Sequence, residues 1–495
     1  MINHQFTDGT ICAPATIPGT GAISIIRVSG KEALTRADKI IHLSGGSLAE
    51  TEGYRLRYGT IFEADGSVLD NVIVSVFRAP HSYTGENSVE ISCHASRFIV
   101  NSILEGLVNA GARIAAPGEF TRRAFVNGKM DLAQAEAVAD VIASQSAASH
   151  KVAMNQLKGG FSSELKSLRE KLLKMTSLLE LELDFSEEDV EFASRSELGA
   201  LVNEALSHIG RLTDSFSRGN AIKNGVRVAI VGATNTGKST LMNALLGEDR
   251  AIVSDIAGTT RDTIEETLNL GGVMFRFIDT AGIRETDEVV EKIGIERTFK
   301  KMDEASIVLG MTDLSRGENS VLADAEYIWD KVNASSSGQE FLLLVNKCDV
   351  DGCESGDGEG HVAGCAGAGY ADKAGKLAGI EAALSAKGIS AKLIPISAKT
   401  GYGLAALTET LAEIGRRITG DTDETLVTNI RHYEALVRAA TALGRVRDGL
   451  QVATLPPDLI AQDLREALYH LGEIVGEIGT EEVLGNIFRN FCIGK

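Results

Sequence analysis

Between residues 221 and 420, short apolar runs that end in polar residues alternate with helical stretches. The runs are VRVAIVGA, VMFRFIDT, ASIVLGMTD, FLLLVNKCD and AKLIPISAK. This pattern predicts a doubly wound sheet with ligand loops at the strand C-termini. Asn269-Leu270-Gly271-Gly272 between strand-like runs predicts one hairpin, and so a mixed sheet. The first 120 residues read differently, as α+β. GAISIIRVSG (Gly21–Gly30) is a β-branched run closed by glycine, two strand-like runs flank Asp65-Gly66, and VEISCHAS alternates with period two. Arg97 to Ala110 reads as a helix. From Ala133 the chain is rich in helix formers, and Leu165, Leu168, Leu172, Met175 and Leu179 predict one apolar stripe on a long helix. The acidic run at Glu187, Glu188, Asp189 and Glu191 reads as a solvated helix end or loop. After Glu424 the pattern is helical to the end. Each helical half alone offers an incomplete core, so the α/β unit is expected to be inserted in a helical domain. The expected boundaries are 1–120, 121–220, 221–420 and 421–495. The Gly/Ala-rich stretch 351–391 reads as a mobile insertion, and the spacing of its Cys353, His361 and Cys365 fits no standard metal-ligand set.

The length of 495 residues agrees with about three domains. Forty-nine basic against 68 acidic residues leave a net charge of −19, which argues against a generic nucleic-acid coat but leaves room for a local basic patch. The six cysteines, Cys12, Cys93, Cys348, Cys353, Cys365 and Cys492, are scattered and do not resemble a disulfide framework. With no signal-like N-terminus and no apolar run near the ~20 residues that span a bilayer, the expectation is a reduced, cytoplasmic protein without a membrane partner.

The chemistry begins at Gly232-Ala-Thr-Asn-Thr-Gly237-Lys238-Ser239, a phosphate-loop pattern between a strand and a helix. Its backbone N–H groups would cradle phosphates, Lys238 would neutralise them, and the Ser239 hydroxyl would bind Mg²⁺. Four elements follow in order. Ile256-Ala257-Gly258-Thr259-Thr260-Arg-Asp262 suits a first switch. Asp279-Thr280-Ala281-Gly282 ends a strand and can reach metal and γ-phosphate. Asn346-Lys347-Cys348-Asp349 offers a carboxylate to both N–H donors of a guanine edge. Ser397-Ala398-Lys399 would back the base. Together they point to GTP rather than ATP. The residue after Gly282 is Ile283, which cannot orient water. Glu285, Asp287, Glu288 and Glu291 are acidic candidates for that task, and spacing does not choose among them.

These residues resemble the MnmE (TrmE) tRNA modification GTPase family. PHSYTGENSVEI, PGEFTRRAFVNGKMDLAQAEAVADVI, DIAGTTRD, DTAGIRETDEVVEKIGIER and the terminal Phe491-Cys-Ile-Gly-Lys495 stand as they do there. The resemblance spans essentially the whole chain. It implies an N-terminal folate-binding domain that dimerises, a helical domain, and an inserted GTPase domain whose activity depends on potassium. It further implies a homodimer that forms a heterotetramer or larger complex with the flavoprotein MnmG (GidA). Together they would build an aminomethyl-type group on C5 of the wobble uridine of certain tRNAs. The carbon would come from a tetrahydrofolate derivative, 5-formyl- or 5,10-methylene-tetrahydrofolate.

Carried over by motif, K⁺ would be held by Asn235, Ser254, Ile256 and Thr259, and Mg²⁺ by Ser239 and Thr260. Thr236, Gly237, Thr240, Asp255 and the motif residues named above would complete the GTP site. Glu291 would be the catalytic glutamate, beside Lys238 and Cys492 as further catalytic residues. Arg27, Glu90, Lys129 and Lys495 would contact folate. Three departures stand out: Thr234 where proline is usual, Asn87 where aspartate is usual, and an insertion at 351–391 longer than expected. For tRNA phosphates, the face of Arg431, Arg438 and Arg445, with Arg447 nearby, is the favoured candidate. The alternative reading is a GTPase switch that regulates assembly of another complex without modification chemistry, for which folate binding by residues 1–120 is the discriminating observation.

Overall fold

The computed structural model describes residues 9–63, 65–184, 194–249, 265–278, 303–334, 338–349, 368–420, 425–451 and 456–477, and residues 484, 485, 487, 488, 491 and 494. Its contacts divide into two units. One comprises Met1–Ala143, Ala153–Thr213 and Arg431–Lys495, and the other Ser144–Val152 and Asp214–Ile430.

In the first unit, alternating patterns fold into strands β1 (Ile11–Pro14), β2 (Gly21–Ser29), β3 (Ile41–Leu43), β4 (Arg55–Phe62), β5 (Val68–Phe77), β6 (Ser88–Ala95) and β7 (Arg113–Ile114). They form one sheet in the order β3-β4-β5-β6-β2-β1-β7. Only β1 and β7 pair in parallel, and the other neighbours are antiparallel. The period of two sends Ile26, Val28, Val72, Val74, Val76, Val89 and Ile91 to one face. There they meet Leu34 and Ala37 of the helix Ala33–Asp38, and Ile103 and Leu107 of the helix Arg97–Asn109. The hairpin expected at Asp65-Gly66 is present: Gly66 has φ +84°, and the Asp65 carboxylate accepts from the Ser67 backbone N–H at 2.9 Å.

Helices Leu132–Ala143, Gly160–Asp184, Ile430–Leu450 and Pro457–Val475 also contribute to this unit. Leu165, Leu168, Leu172 and Leu179 are buried as the stripe predicts. Thr176 is buried in place of Met175, because a turn of 3.6 residues carries the inward position one step further along. Its hydroxyl is satisfied by the Leu172 carbonyl at 2.8 Å. A charged knot joins the first and third of these helices. Arg431 Nε and Nη2 donate to the two oxygens of Glu136 at 3.0 and 2.8 Å, and the ring of the buried His432 lies 2.6 Å from the same carboxylate.

The second unit holds β8 (Val226–Val231), β9 (Glu265–Leu270), β10 (Val273–Ile278), β11 (Ile307–Asp313), β12 (Glu340–Asn346) and β13 (Lys392–Pro395). Their order is β13-β12-β11-β8-β10-β9. β9 and β10 form the expected antiparallel hairpin through Gly271 and Gly272, and the other pairs are parallel. Continuous apolar strands are explained by helices on both faces. Leu241 and Leu245 of the helix Lys238–Asp249 and Leu407 and Leu411 of the helix Leu404–Thr419 cover one face. Val321, Ala325 and Ile328 of the helix Glu318–Ala334 cover the other.

One expectation is corrected here. Within the stretch 351–391, Ala368–Ala386 is a helix whose Ile380 and Leu384 are buried against the second face. Alanine-rich sequence has high helix propensity, and Leu377, Ile380 and Leu384 turn one apolar side to that face. Cys353, His361 and Cys365 lie outside the described residues, as does the acidic run 187–191.

Candidate nucleotide site and N-terminal charged site

The loop between β8 and the helix Lys238–Asp249 is shaped by its backbone. Asn235 and Gly237 have φ +62° and +102°. A Cβ on Gly232 would lie 2.3 Å from the Met311 carbonyl, and one on Gly237 2.4 Å from Asn346 Nδ2, so both positions require glycine. Lys238 folds back over the loop and donates to the carbonyls of Gly232 and Ala233, each at 2.8 Å. Burial draws its ammonium below the ordinary lysine value, and a bound polyanion would offset that. Thr236 is buried, and its hydroxyl donates to the Ala233 carbonyl at 2.9 Å. Ser239 and Thr240 stand exposed on the first turn of the helix. A lysine beside a helix N-terminus and a nest of N–H groups favours phosphate.

Asn346 ties this loop to two others. Its Nδ2 donates to the Thr236 carbonyl at 2.7 Å, and its Oδ1 accepts from the Ala398 N–H at 3.0 Å. Lys347 follows with φ +63°, a conformation that costs a non-glycine residue roughly 1–3 kcal/mol and persists where its surroundings hold it. Its ammonium lies 2.6 Å from Asp313 Oδ2. Cys348 N–H donates to the Ile396 carbonyl at 3.2 Å. Asp349 and Lys399 complete these loops, half-buried and exposed respectively, and Ser397 is fully buried. Burial raises the Asp313 carboxyl, but hydrogen bonds from Lys347 and Ser315 outweigh it and hold the group below its usual value.

The N-terminal sheet carries a second constellation. Arg27 on β2 faces Glu90 on β6 in register. The guanidinium reaches the carboxylate from Nε at 3.0 Å and from Nη2 at 2.9 Å. It also lies 5.1 Å from the Tyr83 ring centroid and 5.7 Å from that of Phe120, and 3.5 Å from the Gly494 carbonyl. Lys129 donates to the Pro80 carbonyl at 3.0 Å, and its stem rests against Gly85.

Two sequence profiles match the chain: the N-terminus of the GTP-binding protein TrmE over residues 10–129, and the MnmE helical domain over residues 132–492. The tRNA modification GTPase MnmE of Parabacteroides distasonis is 50% identical over 489 residues, 98% of this chain and 100% of that protein. Its counterpart in Bacteroides fragilis (strain YCH46) is 50% identical over 488 residues, covering 98% and 99%. That of Porphyromonas gingivalis is 47% identical over 499 residues, covering all of both chains. The chain belongs to the MnmE (TrmE) family of tRNA modification GTPases.

Of the residues singled out from the sequence in this MnmE-family chain, the structure brings together Lys238, Thr236, Gly237, Asn346 and Ala398, and separately Arg27 and Glu90. Ser254, Asp255, Ile256, Ala257, Gly258, Thr259, Thr260, Asp279, Thr280, Ala281, Gly282, Glu291, Cys492 and Lys495 lie outside the described residues. Asn87 gains a reason: its Oδ1 accepts from the Ala79 N–H at 3.1 Å and its Nδ2 donates to the Lys31 carbonyl at 3.4 Å. An aspartate could make only the first bond.

The arginines of the candidate tRNA face all meet acidic or carbonyl partners in this structure. Arg431 is committed to Glu136 and to the Glu473 and Ile474 carbonyls. Arg445 bridges Asp463 and Glu466, Arg438 pairs with Glu434, and Arg447 pairs with Asp448. Spacing shows which residues share a helix face, but not which acids oppose them.

Sequence reasoning missed Arg123, which is 1% exposed and bonded to Glu86 at 3.1 Å and to Glu119 at 3.1 Å. Glu119 in turn grips Arg113. Burial raises the Glu119 carboxyl, but bonds from Arg113, the Ala116 N–H and Arg123 prevail and hold it low. The signal lay in GEFTRRAF, where a glutamate and an arginine four apart share one helix face.

Proposed function

We propose that the chain is a potassium-dependent GTPase that acts with a flavin-dependent partner of the MnmG (GidA) type. It installs an aminomethyl-type group on C5 of the wobble uridine of certain tRNAs, using a carbon from 5-formyl- or 5,10-methylene-tetrahydrofolate. The observation that supports its GTP-binding part is the interlock at Asn346, which couples the phosphate loop to both base-side loops; the tRNA part rests on membership of the family. Residues 221–420 are read as the GTPase domain, inserted between helical segments 121–220 and 421–495. Residues 1–120 are read as the folate-binding and dimerising domain.

Lys238 neutralises the β- and γ-phosphates, and Asp349 reads the guanine N–H donors, with Ser397, Ala398 and Lys399 behind the base. The exposed Ser239 hydroxyl suits Mg²⁺, with Thr260 as its partner. The exposed Asn235, in a left-handed backbone conformation, suits K⁺, with Ser254, Ile256 and Thr259. A monovalent cation there supplies charge of the kind an arginine finger supplies, worth about 10³–10⁵ in rate where one is used. Glu291 orients the attacking water. Arg27 and Glu90, flanked by Tyr83 and Phe120, suit a flat pterin with a hydrogen-bonding edge, and Lys129 and Lys495 are the further folate contacts. Cys492 is the candidate thiol for the modification step. Leu56, Tyr58 and Ile73 are exposed on the outer face of the sheet, at 69%, 60% and 50%, which supports a homodimer formed there. No helix among the described residues is long and apolar enough to cross a membrane, and the reading places the protein in the cytoplasm.

GTP hydrolysis in KCl and NaCl at equal ionic strength tests the mechanism, for the wild type and Glu291→Ala. Strong stimulation by K⁺ that disappears in the variant is the expected result. Equal wild-type rates in the two salts would refute the cation role.

A further inference from the structure

The loop that carries Lys347 and Asp349 is held by a residue outside every nucleotide motif. Asp313 ends β11, and the parallel register sets it beside Asn346 at the end of β12. Its side chain is 5% exposed. Oδ2 accepts from the Lys347 ammonium at 2.6 Å, and Oδ1 accepts from the Ser315 N–H at 2.9 Å and the Ser315 hydroxyl at 2.6 Å. The strand itself has no need of this carboxylate, because its ladder is built from backbone groups. The side chain serves the loops.

Lys347 stands two residues before Asp349, and its left-handed turn sets the direction in which the chain leaves β12. On either side the backbone is fixed by Asn346, through Thr236 and Ala398, and by the Cys348 N–H, through Ile396. Lys347 is fixed through its ammonium. We propose that Asp313 is a positioning residue for guanine recognition. By clamping Lys347 it fixes the turn, and thereby the angle at which Asp349 meets the base edge. The proposal rests on the guanine-site reading given above.

The test compares GDP with IDP, whose hypoxanthine base lacks the exocyclic amino group that Asp349 would bind. Affinity and dissociation rate are measured on the full-length chain for the wild type, Asp313→Asn, Asp313→Glu, Lys347→Met and the double variant Asp313→Asn/Lys347→Met. Asp313→Asn is expected to speed GDP release about tenfold and to shrink the IDP-to-GDP ratio of dissociation constants at least threefold. Lys347→Met should do the same, the double variant should be no worse than Lys347→Met alone, and Asp313→Glu should recover part of the loss. A wild-type ratio in Asp313→Asn would overturn the proposal even if the melting temperature fell, because a merely structural role moves stability without moving discrimination. Effects that multiply in the double variant would also overturn it. A wild type that bound GDP and IDP equally would instead defeat the guanine-site reading itself.

Discussion

The nucleotide site and the N-terminal charged site solve different problems with different materials. The first is built largely from backbone: Lys238 is held by two main-chain carbonyls, and Asn346 grips one carbonyl and one N–H. The second is built from side chains that neutralise each other, Arg27 with Glu90, and Arg123 with Glu86 and Glu119. A site shaped by backbone demands glycine and asparagine at fixed spacing, so it is written locally in the sequence. A site shaped by ion pairs depends on strands and helices that meet only after folding. The difference also concerns energy. The phosphate loop keeps a partly desolvated cation, whereas the paired charges of the N-terminal site bring little net electrostatic gain.

The largest expected effect lies at the first site. Lys238→Ala should lower kcat/KM for GTP by on the order of a hundredfold or more, with the melting temperature nearly unchanged. A fall below tenfold would break the claim that this site depends on its half-buried cation.

Next comes the knot at Glu136, which is structural and belongs to neither site. Burial raises its carboxyl, but His432 and Arg431 together bring it down to about 2. Because the folded value lies below the unfolded one of about 4.5, Glu136 contributes stability that is complete above about pH 4.5 and is lost as pH falls toward 2. Glu136→Gln should cost roughly 3 kcal/mol in urea unfolding at pH 7, and the gap from the wild type should narrow in acid. A gap that stayed constant down to pH 3 would refute the ionised pair.

A smaller effect is expected at the second site. Arg27→Ala should weaken binding of 5-formyl-tetrahydrofolate about tenfold while leaving GTP hydrolysis unchanged, as read by equilibrium dialysis and phosphate release. Undiminished folate binding would remove Arg27 from the ligand site and leave the pair with Glu90 a purely structural one.

The smallest effect is expected at Arg445, which is exposed and paired with Asp463 and Glu466. Arg445→Ala should shift stability by no more than about 0.5 kcal/mol and leave tRNA affinity within twofold in a filter-binding assay. A large loss of tRNA binding would show that Arg445 contacts RNA despite its acidic partners.

The same contrast explains what could be read in advance. The strands β8, β10, β11 and β12, both hairpins and the phosphate loop were legible because period, turn residues and motif spacing are local properties. Arg27 and Glu90 became candidates only through family resemblance, since 63 positions separate them in the chain. Asp313 lies outside every motif, and Arg123, although inside GEFTRRAF, owes its role to Glu86, which folding places opposite it. The acidic partners of the arginines at 431, 438 and 445 were not legible for a related reason: helical periodicity names a face but not its neighbours. The helix Ala368–Ala386 was missed because a glycine-rich start obscured an alanine-rich continuation.

Guanine recognition is tested most directly by calorimetric titration of the full-length chain with GDP and with ADP in the same buffer. GDP should bind one per chain, with ADP at least a hundredfold weaker, because adenine offers Asp349 no pair of N–H donors. Equal affinities for the two nucleotides would contradict the assignment of Asn346, Asp349 and the Ser397–Lys399 loop to the base.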